Sequence, residues 1–231
     1  SAMVYEGADE YEIMMQAHNI DDNPWPSFET DVEILPPPAS SYGFQKLATE
    51  YYCKSAFEQY NLPYTIIRPF NAVGLGEDEA LGEEEVLSGN VKLMMSHVLP
   101  DLANKVIRGQ DPLHLLGDGT QIRCYTHGKD IARGIVMAME NSNAANEAFN
   151  ISTSRPTTVK ELAELVWKRV HGDSKPFRFV SDNPYQYDVQ KRLPDVEKAK
   201  YMLGWEAEIS LEDSVNEVVG EMIGMALVED A

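Results

Sequence analysis

Apolar positions in this chain fall into short β-branched runs and longer stretches of helical period, and the two alternate along its length. Tyr42 to Tyr60 has no Gly or Pro after Gly43. It follows Pro36-Pro37-Pro38 and Ser40-Ser41, a helix stop and then N-cap chemistry, and so predicts a helix. Pro63-Tyr-Thr-Ile-Ile-Arg-Pro69 is β-branched and bounded by prolines, which predicts a strand. A helix is expected from Val91 to Arg108, begun or kinked at Pro100. Leu113–Leu116 and Gln121–Thr126 read as strands around Gly117-Asp118-Gly119-Thr120, a hairpin turn signal. Asp130–Met139 predicts a helix and Ala148–Ser152 a strand. Thr158–Val170 has apolar residues at Val159, Leu162, Ala163, Val166 and Val170, a helical period. Helices over Val196–Leu203 and Leu211–Leu227 end the chain. Ser1–Gly7 reads as the tail of a buried strand, Ala8–Pro38 as an extended loop with one helical turn, and Asn71–Gly89 as a Gly- and acid-rich loop. Strands alternating with helices make this an α/β protein.

The length, 231 residues, is enough for one domain or two small ones, and a hydrophobic fraction of 43% is ordinary for a globular chain. The sequence shows neither a membrane-span run nor a signal-peptide pattern, so a cytoplasmic location is expected. Cys53 and Cys124 lack metal spacing and read as reduced thiols, and the five histidines are scattered, so no metal site is expected. The net charge of −19 is local. Nine acids precede Lys46 with no base among them, and six more lie between Glu77 and Glu85. Setting those fifteen aside leaves 23 acidic side chains against 19 basic ones. Acidic segments of this kind are usually solvated surface, and the lack of a basic patch argues against nucleic-acid binding.

Candidate chemistry centres on Tyr42 and Lys46, four residues apart and so on one face of the predicted helix. A free phenol titrates near 10, and use near neutrality asks for roughly 4 kcal/mol of preference for the phenolate. An ammonium about 5 Å away supplies roughly 3 kcal/mol at an effective dielectric of about 20. Tyr-x-x-x-Lys also occurs at Tyr125/Lys129 and Tyr187/Lys191. The first of these contains Gly128 and the second runs into Leu193-Pro194, so neither has a helical context. A dinucleotide fingerprint is missing: Gly74-x-Gly76 and Gly117-x-Gly119 lack the third glycine and do not open a helix.

Taken in order, the motifs resemble the C-terminal two-thirds of an extended short-chain dehydrogenase/reductase of the nucleotide-sugar epimerase/dehydratase family, over nearly all 231 residues. Ser1-Ala2-Met3-Val4-Tyr5 is similar to the family's strand end with its catalytic hydroxyl, and Tyr42-x-x-x-Lys46 to its catalytic pair. Arg68-Pro69-Phe70-Asn71-x-x-Gly74 resembles the strand end that lines the nicotinamide. Leu116-Gly117-Asp118-Gly119-x-Gln121-x-Arg123 resembles the hairpin whose Arg clamps phosphate. Asn150-Ile151-Ser152 and Pro194-Asp195-x-x-Lys198-Ala199-x-x-x-Leu203-Gly204-Trp205 complete the family order. There are departures. The stretch from Ala8 to Pro38 looks like an insertion, Cys124 stands where the family has Asp, and Tyr185-Gln186-Tyr187-Asp188 replaces Arg-x-Gly-Asp. Ala2 and Met3 occupy the positions where the 4,6-dehydratases carry Asp-Glu, which disfavours elimination.

The resemblance implies a partial Rossmann-like fold lacking the N-terminal glycine-rich strands, plus a mixed α/β substrate-binding region. Residues 1–72 are then the remnant of the catalytic domain, with the acidic insertion at 8–38. Residues 73–231 are mostly substrate-binding, with some segments returning to the core. It implies an NAD-dependent nucleotide-sugar epimerase acting at C4, with Ser1, Tyr42 and Lys46 catalytic and Tyr42, Lys46, Pro69 and Phe70 at the cofactor. Asn71, Leu99, Leu116, Arg123, Asp188 and Arg192 are placed along a nucleotide-diphosphate sugar, and the helix of Tyr42 is expected to pair two subunits as a homodimer. Two other readings stand beside this one. The first is a non-catalytic nucleotide- or partner-binding fragment without the NAD-binding half, supported by the missing glycine loop. The second is a reductase or dehydratase of the same family.

Overall fold

The computed structural model describes residues 1–18, 25–76, 85–88, 91–94, 97–184 and 189–229. Six α-helices are α1 Ala8–Ala17, α2 Ser41–Tyr60, α3 Val98–Ile107, α4 Gly128–Glu140, α5 Val159–His171 and α6 Leu211–Glu229. The strands are β1 Thr65–Pro69, β2 Ala72–Val73, β3 Glu85–Ser88, β4 Val91–Met94, β5 Leu113–Leu116, β6 Ile122–Arg123, β7 Thr126–His127, β8 Glu147–Ile151, β9 Thr157–Thr158 and β10 Phe179–Asp182. They form two-stranded pairs: β1 with β8, β2 with β7 and β5 with β10 run parallel, while β3 with β4 and β6 with β9 run antiparallel. Parallel pairs joined by helices make the α/β class.

α2 forms where the sequence signals it. Ser40 caps it, its Oγ accepting from Gly43 N at 3.0 Å, and Asn61 ends it in the left-handed region at φ 54°. Gly43 is required by packing. A Cβ there would lie 2.7 Å from Pro38 Cβ, 2.8 Å from Glu6 Oε2 and 3.0 Å from Met3 O. The start of α2 is therefore pressed against the N-terminal residues.

Several expectations are corrected. Ser1–Gly7 is not a strand tail: Ala2–Tyr5 form a 3-10 turn capped by Ser1. Its backbone is satisfied locally, Val4 N to Ser1 O and Glu6 N to Met3 O, while Ala2, Val4 and Tyr5 bury against Phe70, Val32 and Leu35. Ala8–Ala17 is a full α-helix rather than one turn. It contains no Gly or Pro, and Asp9 and Glu10 in its first turn complement the helix dipole. The helix expected from Val91 is β4 followed by α3, with Pro100 in the first turn of α3, where its missing N–H costs nothing. β3 and β2 fall within the expected loop 71–89, and the acidic positions 77–84 lie outside the described residues.

Gly117 and Gly119 adopt φ of 69° and 78°, as the turn requires, but the flanking strands do not pair with each other. β5 runs parallel to β10, a strand the pattern did not signal, and β6 pairs with β9. Val196–Leu203 closes in a π-helical turn over Ala199–Leu203.

Three clusters hold the described chain together. Leu99, Leu102, Val106, Leu162, Trp167 and Val218 join α3, α5 and α6 over β5. Ile131, Phe149, Ile151 and Trp205 seat α4 on β8, and Tyr5, Phe70 and Val32 close the N-terminal end. Among the described residues no helix is long and apolar enough to cross a membrane.

Candidate active site

Tyr42 and Lys46 lie in the first turns of α2, with Lys46 Nζ 5.2 Å from the centroid of the Tyr42 ring. Tyr42 is 39% exposed, and Lys46 is exposed and makes no ion pair with any described residue. Both groups face an accessible surface, as a pair that meets substrate and cofactor must. The other two tyrosine–lysine pairs are placed differently. Tyr125 is buried outside any helix, and Lys129 pairs with Glu217 at 3.0 Å on the surface. Tyr187 lies outside the described residues.

One turn beyond Lys46, α2 is bolted to β1. The Glu50 carboxylate accepts from Arg68 Nε at 2.9 Å and from Nη2 at 2.7 Å, a two-pronged pair with both side chains buried. Arg68 also donates to the Tyr5 hydroxyl at 2.6 Å and to Glu29 O at 2.7 Å. Tyr5 in turn donates to Asn150 Oδ1 at 2.8 Å, and Asn150 N donates to Glu29 Oε1 at 2.8 Å. Burial pushes the Tyr5 phenol up and also raises the Glu29 carboxyl. The hydrogen bonds to Glu50, together with that carboxylate's charge, outweigh burial at Arg68 and hold its guanidinium charged. Sequence reasoning missed this network. Its one signal was Glu50, four residues after Lys46 and eight after Tyr42, a carboxylate on the same helix face as the pair.

Ser1 Oγ accepts from Met3 N at 3.3 Å, which leaves its hydroxyl proton to donate elsewhere. Ser1 caps the 3-10 turn whose Met3 carbonyl lies against Gly43, so Ser1 belongs to the group around α2. Pro69 ends β1. Phe70 is 1% exposed and packs on Tyr5 with ring centroids 5.9 Å apart, so its side chain serves the core and only its backbone can face a cofactor. Asn71 follows, its carbonyl accepting from Thr126 N at 3.0 Å. Asn71 Oδ1 is buried and has no hydrogen-bond partner among the described residues. Turning that amide would direct its two N–H donors to the same place, which is what a phosphate oxygen needs.

A second group gathers around β6. Arg123 donates to the carbonyls of Ile122 at 2.8 Å, Gln190 at 3.3 Å and Val189 at 2.5 Å, and so holds the segment 189–191. Arg192 N donates to Ile122 O at 3.0 Å, which brings Arg192 to the same strand. Leu116 ends β5, half-exposed, with its carbonyl accepting from Gln121 Nε2 at 3.1 Å. Leu99 is sealed in the helical core at 0% exposure and offers no side-chain surface to a ligand. Asp188 lies outside the described residues. Cys124, in the position where the family pattern has Asp, is fully buried, and burial pushes its thiol up to about 12. It is a packing residue. No group of metal-binding side chains occurs among the described residues.

The sequence and the fold both have counterparts among known proteins. A family model described as the NAD dependent epimerase/dehydratase family matches residues 19–152. The chain is 31% identical over 157 residues to UDP-glucose 4-epimerase of Bacillus subtilis, covering 64% of this chain and 43% of that one. It is 34% identical over 136 residues to UDP-glucuronic acid decarboxylase 1 of Arabidopsis thaliana, covering 58% of this chain and 29% of that one. The crystal structure of UDP-glucose 4-epimerase from Thermotoga maritima with UDP-glucose superimposes with a TM-score of 0.72 at 33% identity, covering 89% of this chain and 60% of that one. The chain thus spans about half the length of the relatives it matches. With more than half of its residues matched by the family model, the chain belongs to the NAD-dependent epimerase/dehydratase family.

Proposed function

We propose that the chain carries the catalytic and substrate-binding residues of an NAD-dependent nucleotide-sugar epimerase acting at C4 of a UDP-hexose. The observation that carries this reading is the exposed Tyr42–Lys46 pair on α2, and the Asn71 Oδ1 without a described partner just after β1 supports it. Tyr42, as phenolate, takes the proton of the sugar hydroxyl. NAD, when bound, would supply a reversible hydride acceptor at that carbon, and Lys46 with the backbone at Pro69 and Phe70 would hold it. Lys46 supports the phenolate and holds the cofactor ribose, and the Ser1 hydroxyl donates a hydrogen bond to the reacting oxygen without transferring its proton. The keto-sugar formed is free to turn over, so that reduction on its other face inverts the centre. Asn71 and Arg123 hold the diphosphate while the sugar moves. Ala2 and Met3, next to Ser1, carry no proton-transfer group, so the site supports oxidation and reduction at one carbon and not elimination of water. The relatives act on UDP-sugars by name, which supports a uridine nucleotide.

The test joins this chain to the glycine-rich first half of a family relative and follows conversion of UDP-glucose to its C4 epimer. The wild-type chimaera should turn over, and Tyr42→Phe should abolish turnover while leaving UDP binding within a few-fold. Full turnover by Tyr42→Phe would remove the assignment. Tyr125→Phe, at the buried decoy, should leave the reaction in place.

A further inference from the structure

We infer that α1, the helix in the acidic insertion, is a strap that lies across the diphosphate subsite and must be released for a nucleotide to bind. The inference rests on the diphosphate reading of Arg123 given above and adds regulation to that same site. α1 leads directly from the 3-10 turn beside α2 to the segment 189–191 that Arg123 holds. Asp9 Oδ2 accepts from Gln190 N at 2.6 Å, and Lys191 Nζ reaches Glu12 at 3.3 Å. Val189 and Gln190 are the residues whose carbonyls take the Arg123 guanidinium. Asp9 Oδ1 is buried with no hydrogen-bond partner among the described residues. Burial raises the Asp9 carboxyl, and the Arg123 charge acts on it in the opposite direction. The helix thus brings its own carboxylate into the field of the arginine that would otherwise receive a phosphate, with Glu12 beside it.

A diphosphate at Arg123 would meet the Asp9 carboxylate there and Glu12 at the neighbouring Lys191, so docked α1 and bound diphosphate exclude each other. The helix is built to leave. Ala8 is its one fully buried residue and Tyr11 packs half-buried on the N-terminal cluster, while Ile13 and Met14 are 67% and 42% exposed. Polar contacts at the segment 189–191 therefore carry much of its attachment, which places it at the low-stability end of the structure.

The experiment measures UDP binding to this chain by calorimetry and backbone amide exchange of α1 with and without UDP. The double variant Asp9→Asn/Glu12→Gln should bind UDP about tenfold more tightly than wild type, an ordinary coupling between two sites. Glu10→Gln, which removes a charge from an exposed position of the same helix, should bind as wild type does. UDP should also speed exchange of the α1 amides in the wild-type chain, a readout that needs no variant to fold. Equal UDP affinity in the double variant, or an equal gain in Glu10→Gln, overturns the strap and leaves the diphosphate reading standing. No UDP binding by wild type or double variant overturns the diphosphate reading, and the strap falls with it.

Discussion

At the scale of single residues, the side chains that do chemistry and those that hold them apart are easy to confuse. Arg68 belongs to the motif read as lining the nicotinamide, yet it is 1% exposed and spends its guanidinium on Glu50, Tyr5 and Glu29. Its work is to set α2 against β1. Removing one member of a buried ion pair leaves the other charge without compensation, at a cost of about 3–5 kcal/mol. Glu50→Gln should therefore lower the melting temperature by about 10 °C, taking about 2–4 °C per kcal/mol for a chain of this size. Thermal unfolding followed by circular dichroism checks this, and a change under about 2 °C would show that the pair contributes little. The closeness of Tyr42 and Lys46 was legible in the sequence because helix spacing is local. Glu50 and Tyr5 were not, since nothing in their neighbourhoods reveals that β1 delivers Arg68 between them. Leu99 erred in the opposite direction. An apolar residue in a motif looks the same whether it lines a site or fills the core behind it.

Among the elements, helices with clean caps and the β-branched strands β1 and β8 were read correctly, while the short strands β2 and β9 and the strand β10 were not. Thr158 and Glu161 form a reciprocal capping box that opens α5 where the period begins. The hairpin failed because two glycines fix a chain reversal but not which strands pair after it, and β10, which takes β5, lies more than sixty residues away. α2 presents the largest unresolved demand. Gly43 and Glu50 are its buried residues, while Phe44, Tyr51 and Tyr52, on one side of the helix, stand 55%, 55% and 76% exposed. An aromatic face of that size on a surface helix calls for a cover, and we propose a second subunit, paired about a two-fold axis. Light scattering on the assembled enzyme should report a dimer, and Tyr52→Lys should give monomers without loss of helix content. A wild-type enzyme that is monomeric at micromolar concentration ends that proposal.

For the whole molecule, the question is where a dinucleotide could rest its phosphates. A pyrophosphate binds where a glycine-rich turn lets a strand pass into a helix N-terminus, with backbone N–H groups aimed at the anion. Two described strands run straight into helices, and neither junction has that form. β7 enters α4 through His127, whose ring already accepts from Lys129 N at 3.1 Å, and β9 enters α5 through the Thr158–Glu161 box. In each case a side chain of the protein occupies the place an anion would take. The Gly117–Gly119 turn leads into β6, not a helix. This chain by itself should therefore bind NAD no more tightly than about 1 mM. UDP offered to the Asp9→Asn/Glu12→Gln variant should bind measurably through Arg123 and Asn71. Titrating the two ligands into the same protein separates a chain that holds half of a two-ligand site from one that holds neither half. Micromolar NAD affinity would mean that one of these capped helix starts opens to admit a phosphate, and exchange of the Lys129 and Glu161 amides would show which one.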